Sequence, residues 1–512
     1  MKDIHYYIQL LIDYAVKKDL IKENDRTWAA NQIIAKLKLP CFNPSAINEA
    51  SPQEALPQYP DAILSEISKF AVKNKIIEDV PALKALFETE IIGALLQRPS
   101  DFVSSFEKIR KNKGAKSAIQ WLYEKEKQAF YIKVKEIKKN IQWKTQTQYG
   151  TLDLTINLSK PEKTQKEIAL LKTQGAKALN DFVYPKCVLC AQNEGFAGNF
   201  KYQARQNLRL IPMTLGGEKW YFQFSPFVYY NEHCIVLDET HKPMNINEKT
   251  FVRFLDFLEK FPHYFIGSNA DLPIVGGSIL NHDHYQGGNY VFPIQTAKTR
   301  KNFKLKKFPK LKCSVLDWSL SVIRLAGARK DILAASSLIL NRWKNYSDIT
   351  VNIKAYTKKQ RHNTVTPIAR KIDRNFIMDL VLRNNRVAKD SNEGIFHSAP
   401  QYHHIKRENI GLIEAMGMAI LPARLKKEIQ IVKDCLIGAK LEKIKADKDA
   451  NKHYEWAKEL AAKYKFNSKN ADDILKKEVG MIFAESLKCC AVFKDDEKGR
   501  NAFDRFIKTL SQ

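Results

Sequence analysis

What this chain lacks narrows its class before any motif is read. It has only 8 cysteines in 512 residues, at Cys41, Cys187, Cys190, Cys234, Cys313, Cys435, Cys489 and Cys490, too sparse and irregular for a disulfide scaffold. Long apolar runs are missing as well. None reaches the length needed to span a bilayer, and the opening MKDIHYYIQLLIDYAVKKD mixes charges among its apolar residues, with no leader-like region or small-residue cleavage site. A cytoplasmic, reducing location with no membrane partner is the expectation. Acidic residues are in deficit: 56 Asp and Glu stand against 84 Lys and Arg, a formal charge of +28. That surplus suits an anionic partner, either nucleic acid or a phosphorylated small molecule. The basic residues run along the whole chain rather than forming one arm, which favours a solvated basic surface over a specific nucleic-acid site. Clusters such as KTRKNFKLKKFPKLK (Lys298 to Lys312) would still attract polyanions non-specifically. With 44% hydrophobic and 11% aromatic residues, a substantial core is expected rather than disorder.

The first part of the chain, to about Lys144, reads as helical. Ile4, Tyr7, Ile8, Leu11 and Ala15 recur at helical spacing, and Asp25 is placed to cap a second helix through Trp28, Ile33 and Leu37. Prolines from Pro40 to Pro60 mark a loop, after which Ile63 to Phe70, Leu83 to Leu96 and Ile119 to Ile137 resume the period. No catalytic cluster falls here, and His5 reads as a surface residue. The period changes at Thr151 to Ser159, where Leu152, Leu154, Ile156 and Leu158 alternate with polar residues as in a half-buried strand. A short helix is expected after Pro161. Strands follow over Leu208 to Met213, Lys219 to Phe224 and Val228 to Leu237, an antiparallel meander. The spacing predicts a helix over Asn247 to Phe261 capped by Asn247, a strand over Tyr264 to Gly267, and a turn holding Asn269 and Asp271. Later strands are expected around Ser314 to Ile323, Thr364 to Arg370 and Phe376 to Arg383, a helix over Lys330 to Trp343, and helices from about Glu408 onward.

The stretch GGSILNHDHYQGGNY (Gly276 to Tyr290) concentrates the chemistry. His282 and His284 are two apart, so on an extended strand both imidazoles share a face, Gln286 returns to it, and Asp283 points to the other. Flanking glycines suit a main chain that must approach a phosphate. A glycine-rich hairpin carrying surface histidines is the alternative on spacing alone. Upstream, Cys187 and Cys190 form a Cys-x-x-Cys pair, which by itself leaves metal, redox and plain core cysteines open.

At this motif the sequence resembles the type 2 galactose-1-phosphate uridylyltransferases, members of the histidine triad superfamily whose transferase branch carries His-x-His-x-Gln. The likeness extends in order through KCVLCAQNEGFAGN (Lys186 to Asn199), ARQNLRLIPMTLGGEKWYFQFSPFVYYNEHCIVLDETHKPM (Ala204 to Met244), FPHYFIGSNADLPIVGGS (Phe261 to Ser278), HNTVTPIAR (His362 to Arg370) and HHIKRENIGLIEAMG (His403 to Gly417). The resemblance implies an α+β fold, with duplicated histidine-triad-like antiparallel sheets flanked by helices behind an N-terminal helical extension. The domains would be residues 1–148, 149–300 and 301–512, although no internal repeat is clear in the sequence itself.

For function the resemblance implies a nucleotidyltransferase of galactose metabolism, moving UMP from UDP-glucose to galactose 1-phosphate and yielding glucose 1-phosphate and UDP-galactose. His284 would be the nucleophile, His282 would orient it through its carbonyl, and Gln286 would donate to the phosphoryl oxygen. A histidine in place of the glutamine goes with the hydrolases of the superfamily. Arg205, Asn207 and Arg209 would contact the uridine ribose and phosphates, with Asn269 and Ser278 as further substrate contacts. An exposed salt-bridge partner is the alternative for either arginine. Lys406, Arg407 and Asn409 could hold the sugar phosphate from a neighbouring subunit. No cofactor is required for the chemistry. Zinc is a candidate structural metal on Cys187, Cys190, His241 and His282, and a homodimer is left open. His397, His403 and His404 are assigned no metal. Two rival functions stand beside this reading: a metal-dependent hydrolase, in which His282 and His284 would ligate an ion, and a basic nucleic-acid-binding protein.

Overall fold

A computed structural model describes residues 3–43, 56–159, 184–199, 202–277, 279–388 and 393–511. Helices α1 (Ile4–Lys17), α2 (Arg26–Lys36), α3 (Asp61–Lys73), α4 (Pro81–Gly93) and α5 (Pro99–Gln128) come first. The strands are β1 (Ile141–Thr147), β2 (Gly150–Ile156), β3 (Ile211–Leu215), β4 (Glu218–Phe224), β5 (Cys234–Asp238), β6 (Phe265–Gly267), β7 (His284–Gly288), β8 (Thr299–Phe303), β9 (Lys312–Leu316), β10 (Val322–Gly327), β11 (Tyr356–Thr357), β12 (Gln360–Arg361), β13 (Asn363–Ile372), β14 (Asn375–Asn384) and β15 (Met418–Leu421). Long helices and largely antiparallel strands give the α+β class that the sequence predicts. Among the described residues, no helix is long and apolar enough to cross a membrane.

The chain divides into two compact units. The first comprises residues up to Lys139, Ser159–Val228 and Glu232–Lys242; the second comprises Asn140–Leu158, Tyr229–Asn231 and Pro243 onward.

In the first unit, the apolar stripe of α1 (Ile8, Leu11, Tyr14, Ala15) is buried with Ile33, Leu64, Ile67 and Ile91 of α2, α3 and α4. Asp3 caps α1, its carboxylate accepting from the His5 amide at 2.8 Å. Asp25 stands at the N-cap position of α2 as expected, but its side chain makes no cap hydrogen bond to that helix. It closes a preceding 3₁₀ turn, accepting from the Lys22 amide at 3.0 Å, and Trp28 is 51% exposed rather than part of the core. β3, β4 and β5 form the predicted antiparallel meander, with Ile211 opposite Phe222 and Trp220 opposite Asp238. The helix expected after Pro161 lies outside the described residues.

In the second unit, β1, β2 and β15 form a three-stranded sheet, antiparallel between β1 and β2 and parallel between β2 and β15. Two expectations change here. β1 is extended where the helical pattern was expected to reach about Lys144, and β15 interrupts a stretch read as all helical. β2 is also buried on both faces rather than one: Asp153 and Thr155 are as enclosed as Leu152 and Leu154, and the Asp153 carboxylate accepts from the Tyr290 hydroxyl at 2.8 Å. A larger run of antiparallel neighbours follows the spatial order β7, β6, β13, β14, β10, β9, β8. The strands expected around Ser314 to Ile323 are the antiparallel hairpin β9 and β10. Helix Glu248–Lys260 packs on β6 and β13, and helix Arg329–Lys344 on β10, β13 and β14. Asn247 caps the former as predicted, accepting from the Lys249 amide at 2.9 Å.

Candidate active site and metal centre

The histidine motif lies at the entrance to β7. His284 is its first residue, and Gln286 follows on the same face of the strand. His282 and His284 are both buried, so the surface-hairpin alternative does not hold. The Nδ1 atom of His284 lies 2.8 Å from the main-chain oxygen of His282. A carbonyl oxygen only accepts, so the ring proton resides on Nδ1 and the lone pair remains on Nε2. Burial pushes the His284 pKa down from 6.5 to about 4, partly opposed by that hydrogen bond, and the imidazole is neutral near pH 7. A neutral imidazole with a free nitrogen is a competent nucleophile.

The opposite face of the same segment is held by a residue that sequence reasoning missed. Arg253, buried on helix Glu248–Lys260, donates from Nη1 to the Tyr285 hydroxyl at 3.0 Å and pairs with Asp283 at 3.5 Å. Tyr285 also meets the edge of Phe254, with ring centroids 4.9 Å apart. One guanidinium therefore ties down the residues that alternate with His282, His284 and Gln286. The available signal was weak: an arginine inside an apolar helical stripe, with Asp256 one turn on as an ordinary surface partner for it. The β6 side is fixed by backbone pairing, Gly267 opposite Gln286 and Phe265 opposite Gly288.

The glycines before the motif answer to close approach. A Cβ on Gly276 would stand 2.3 Å from the Ala270 carbonyl oxygen, and one on Gly277 would stand 2.6 Å from the Asn269 side-chain nitrogen. Asn269 is itself buried, and its Oδ1 accepts from the Leu412 amide at 2.8 Å, so part of its hydrogen-bonding capacity holds the loop. Ser278 lies outside the described residues.

In the first unit, Cys187, Cys190 and His241 bring their ligand atoms within 4.8 Å of one another. The two sulfurs are 3.5 Å apart, and Cys190 Sγ is 3.1 Å from His241 Nδ1. A tetrahedral zinc with bonds near 2.3 and 2.0 Å would set such separations at roughly 3.8 and 3.5 Å, so small adjustments suffice and the donor chemistry fits. The turn is braced from within: Asn193 donates to the carbonyls of both Cys187 and Cys190 at 2.8 Å. Asn193, too, was not singled out from sequence. Burial and the neighbouring Cys190 push the metal-free Cys187 thiol up to about 11.

Arg205, Asn207 and Arg209 have different surroundings. Arg209 is buried, and its guanidinium donates to the main-chain oxygens of Gln97, Gln206 and Leu208. Asn207 is buried and donates to the Ala129 carbonyl at 3.0 Å. Arg209 is therefore not the exposed salt-bridge partner that was its alternative. Arg205 lies over the Tyr131 ring at 5.5 Å and donates to Gln203 at 3.3 Å. In the second unit, Lys406 is committed to Glu414 at 3.0 Å and Asn409 to His397 at 3.1 Å.

Comparison with known proteins follows the same line. The model of the galactose-1-phosphate uridyl transferase N-terminal domain matches residues 63–243, and that of the C-terminal domain matches residues 257–458. The galactose-1-phosphate uridylyltransferase of Clostridium acetobutylicum is 44% identical over 509 residues, covering 99% of this chain and 100% of that protein. That of Fusobacterium nucleatum is 45% identical over 510 residues, covering 98% of each. That of Caldanaerobacter subterraneus is 45% identical over 521 residues, covering 99% of this chain and 98% of that protein.

Proposed function

The chain belongs to the galactose-1-phosphate uridylyltransferase family, and from that premise we propose that it acts as a UDP-glucose–hexose-1-phosphate uridylyltransferase working by double displacement on His284. The observation that carries the reading is the 2.8 Å hydrogen bond from His284 Nδ1 to the His282 carbonyl. It leaves Nε2 as the attacking atom without any prior deprotonation.

In the first step the Nε2 lone pair attacks the α-phosphorus of UDP-glucose. A nitrogen–phosphorus bond forms as the bond between that phosphorus and the bridging oxygen breaks, and glucose 1-phosphate leaves with the electron pair. The positive charge that develops on the ring is shared through Nδ1–H with the His282 carbonyl. In the second step a phosphate oxygen of galactose 1-phosphate attacks the same phosphorus, UDP-galactose forms, and the electrons return to Nε2. Gln286, on the same face of β7, donates to the phosphoryl oxygen whose charge is redistributed in each transfer. Arg205 contributes a fixed positive charge toward the phosphates. Asn207 and Arg209 serve by bracing the segment that carries it, Asn269 and Ser278 are the further substrate contacts of this reading, and the partner is a second copy of this chain.

Zinc belongs to the same reading as a structural ion on Cys187, Cys190 and His241, with His282 as the fourth ligand. When bound, it would fix the Cys-x-x-Cys turn to the segment following β5 and supply no acid–base chemistry. Steady-state kinetics tests the proposal: parallel lines in double-reciprocal plots over both substrates, with UDP-glucose/glucose 1-phosphate exchange in the absence of galactose 1-phosphate, are expected. Intersecting lines with no partial exchange would reject a covalent intermediate.

A further inference from the structure

The larger sheet of the second unit gathers at one end cations that lie far apart in sequence. Antiparallel register fixes which strand ends meet: Lys371 on β13 faces Phe376 on β14, Phe376 faces Gly327 on β10, Ala326 faces Lys312 on β9, and Cys313 faces Phe303 on β8. The β13–β14 turn, the end of β10 and the β8–β9 connection therefore share one end of five neighbouring strands, a row roughly 20 Å wide at about 4.8 Å per strand. On the β8–β9 hairpin Lys304, Lys306, Lys307, Lys310 and Lys312 are all exposed. Lys330, just beyond β10, and Arg374, in the β13–β14 turn, are exposed at the same end. Cations set further back are neutralised: Lys301 pairs with Asp504 at 2.7 Å, Arg300 with Asp495 at 3.4 Å and Arg329 with Asp256 at 2.6 Å. Among the described residues, no carboxylate pairs with the cations of the sheet end, although Asp373 shares the turn with Arg374.

Like charges held side by side repel, so such a row calls for counter-charge from outside the chain. A free phosphate or a sugar phosphate meets one or two of these side chains, whereas the whole row is neutralised by an anion whose charges repeat along it. A lipid surface is disfavoured because the row lacks an apolar anchor: Ile372, 51% exposed in the β13–β14 turn, is a single large apolar side chain there. We infer that this end of the sheet binds a single nucleic-acid strand through its phosphate backbone, without reading its bases. The lysines supply mobile point charges that follow a flexible backbone, and Arg374 adds a planar donor set for phosphate oxygens. His284 opens β7 toward the other end of the same sheet, so the strand and the uridylyl group occupy separate places.

The test is fluorescence anisotropy of the full-length protein with a labelled oligoadenylate of about 12 nucleotides, with and without excess UDP-glucose. A Kd of about 10 µM or tighter is expected at about 50 mM salt, unchanged by UDP-glucose, and log Kd should rise against log salt with a slope of about 3, as for about four phosphates of a single strand. Combining Lys306→Glu, Lys307→Glu and Lys310→Glu should weaken binding at least about tenfold and flatten that slope. Combining Lys108→Glu, Lys111→Glu and Lys113→Glu makes the same change in net charge on exposed residues of α5 in the first unit, and should shift Kd by less than about twofold. Equal losses from the two sets would mean attraction by overall charge alone and would overturn the inference. Binding abolished by UDP-glucose, or capture by phosphatidylglycerol vesicles with no oligonucleotide binding, would overturn it too.

Discussion

The Nδ1 nitrogen of His284 lies 2.8 Å from the main-chain oxygen of His282, two residues back on the same strand. The nucleophile's tautomer is thus set by its own backbone. No third side chain is needed to orient it, and a neutral carbonyl partner leaves the ring less basic than a carboxylate would. The reading of the site turns on that relationship, and the predictions start from it.

His284→Ala removes the only atom assigned to covalent chemistry. Transfer activity should fall by at least about 10⁴-fold, the scale seen when a nucleophile is deleted, while the unfolding temperature stays close to that of the parent. A coupled assay of UDP-galactose formation and a thermal melt check the two halves of this statement.

Gln286→Ala removes a donor aimed at a phosphoryl oxygen without touching the nucleophile. The expected loss is about 10²-fold in kcat, as for one donor of an oxyanion site, with a much smaller change in KM. A rise in KM at constant kcat would make Gln286 a ground-state contact instead.

Arg253→Ala would leave the buried Asp283 carboxylate and Tyr285 hydroxyl without their shared partner at 3.5 and 3.0 Å. Removing one member of a buried charged pair costs about 3 kcal/mol or more. Chemical denaturation should register that loss, and Arg253→Lys should recover only part of it because an ammonium cannot present the same fork of donors.

The Asp379 carboxylate should give the protein part of its acid sensitivity. Burial alone would raise its pKa, but Arg370 at 2.8 Å and Arg324 at 2.6 Å outweigh burial and hold it below the ordinary carboxylate range. A pKa lower in the folded than in the unfolded state stabilises the fold above the unfolded pKa of about 4 and is lost as pH falls through the folded value. Asp379→Asn should therefore be strongly destabilised at pH 7, and its stability gap from the parent should narrow below about pH 4, as read by urea denaturation across pH.

Metal analysis of protein produced with zinc available should find stoichiometric zinc that Cys190→Ala and His241→Ala lose and His284→Ala retains. Zinc retained by both ligand variants would remove the proposed centre. A chelator should lower the unfolding temperature of the parent and leave that of the ligand variants unchanged.

Much of this was legible because the chemistry is periodic. His282, His284 and Gln286 announce a shared strand face by their spacing alone, and Cys187 with Cys190 announces a turn of paired thiols. Asn247 is a helix cap because its partner is the adjacent Lys249 amide. What stayed hidden depends on partners remote in sequence. β15 is parallel to β2, and nothing local to Met418–Leu421 separates four apolar residues of a strand from a helical turn. Asp153 looks like the solvent side of an alternating strand until the Tyr290 hydroxyl reaches it. Arg209 reads as a phosphate ligand from its residue type, whereas the carbonyls of Gln97, Gln206 and Leu208 that occupy its donors carry no side-chain signal.

The most direct measurement is intact and peptide mass spectrometry of the protein mixed with UDP-glucose alone, with glucose 1-phosphate release counted in the same sample. The account predicts a uridylyl adduct on the peptide carrying His284, acid-labile as a phosphoramidate is, and release that stops at one equivalent per active site. Continued release with no adduct, or an adduct on any other residue, would contradict it.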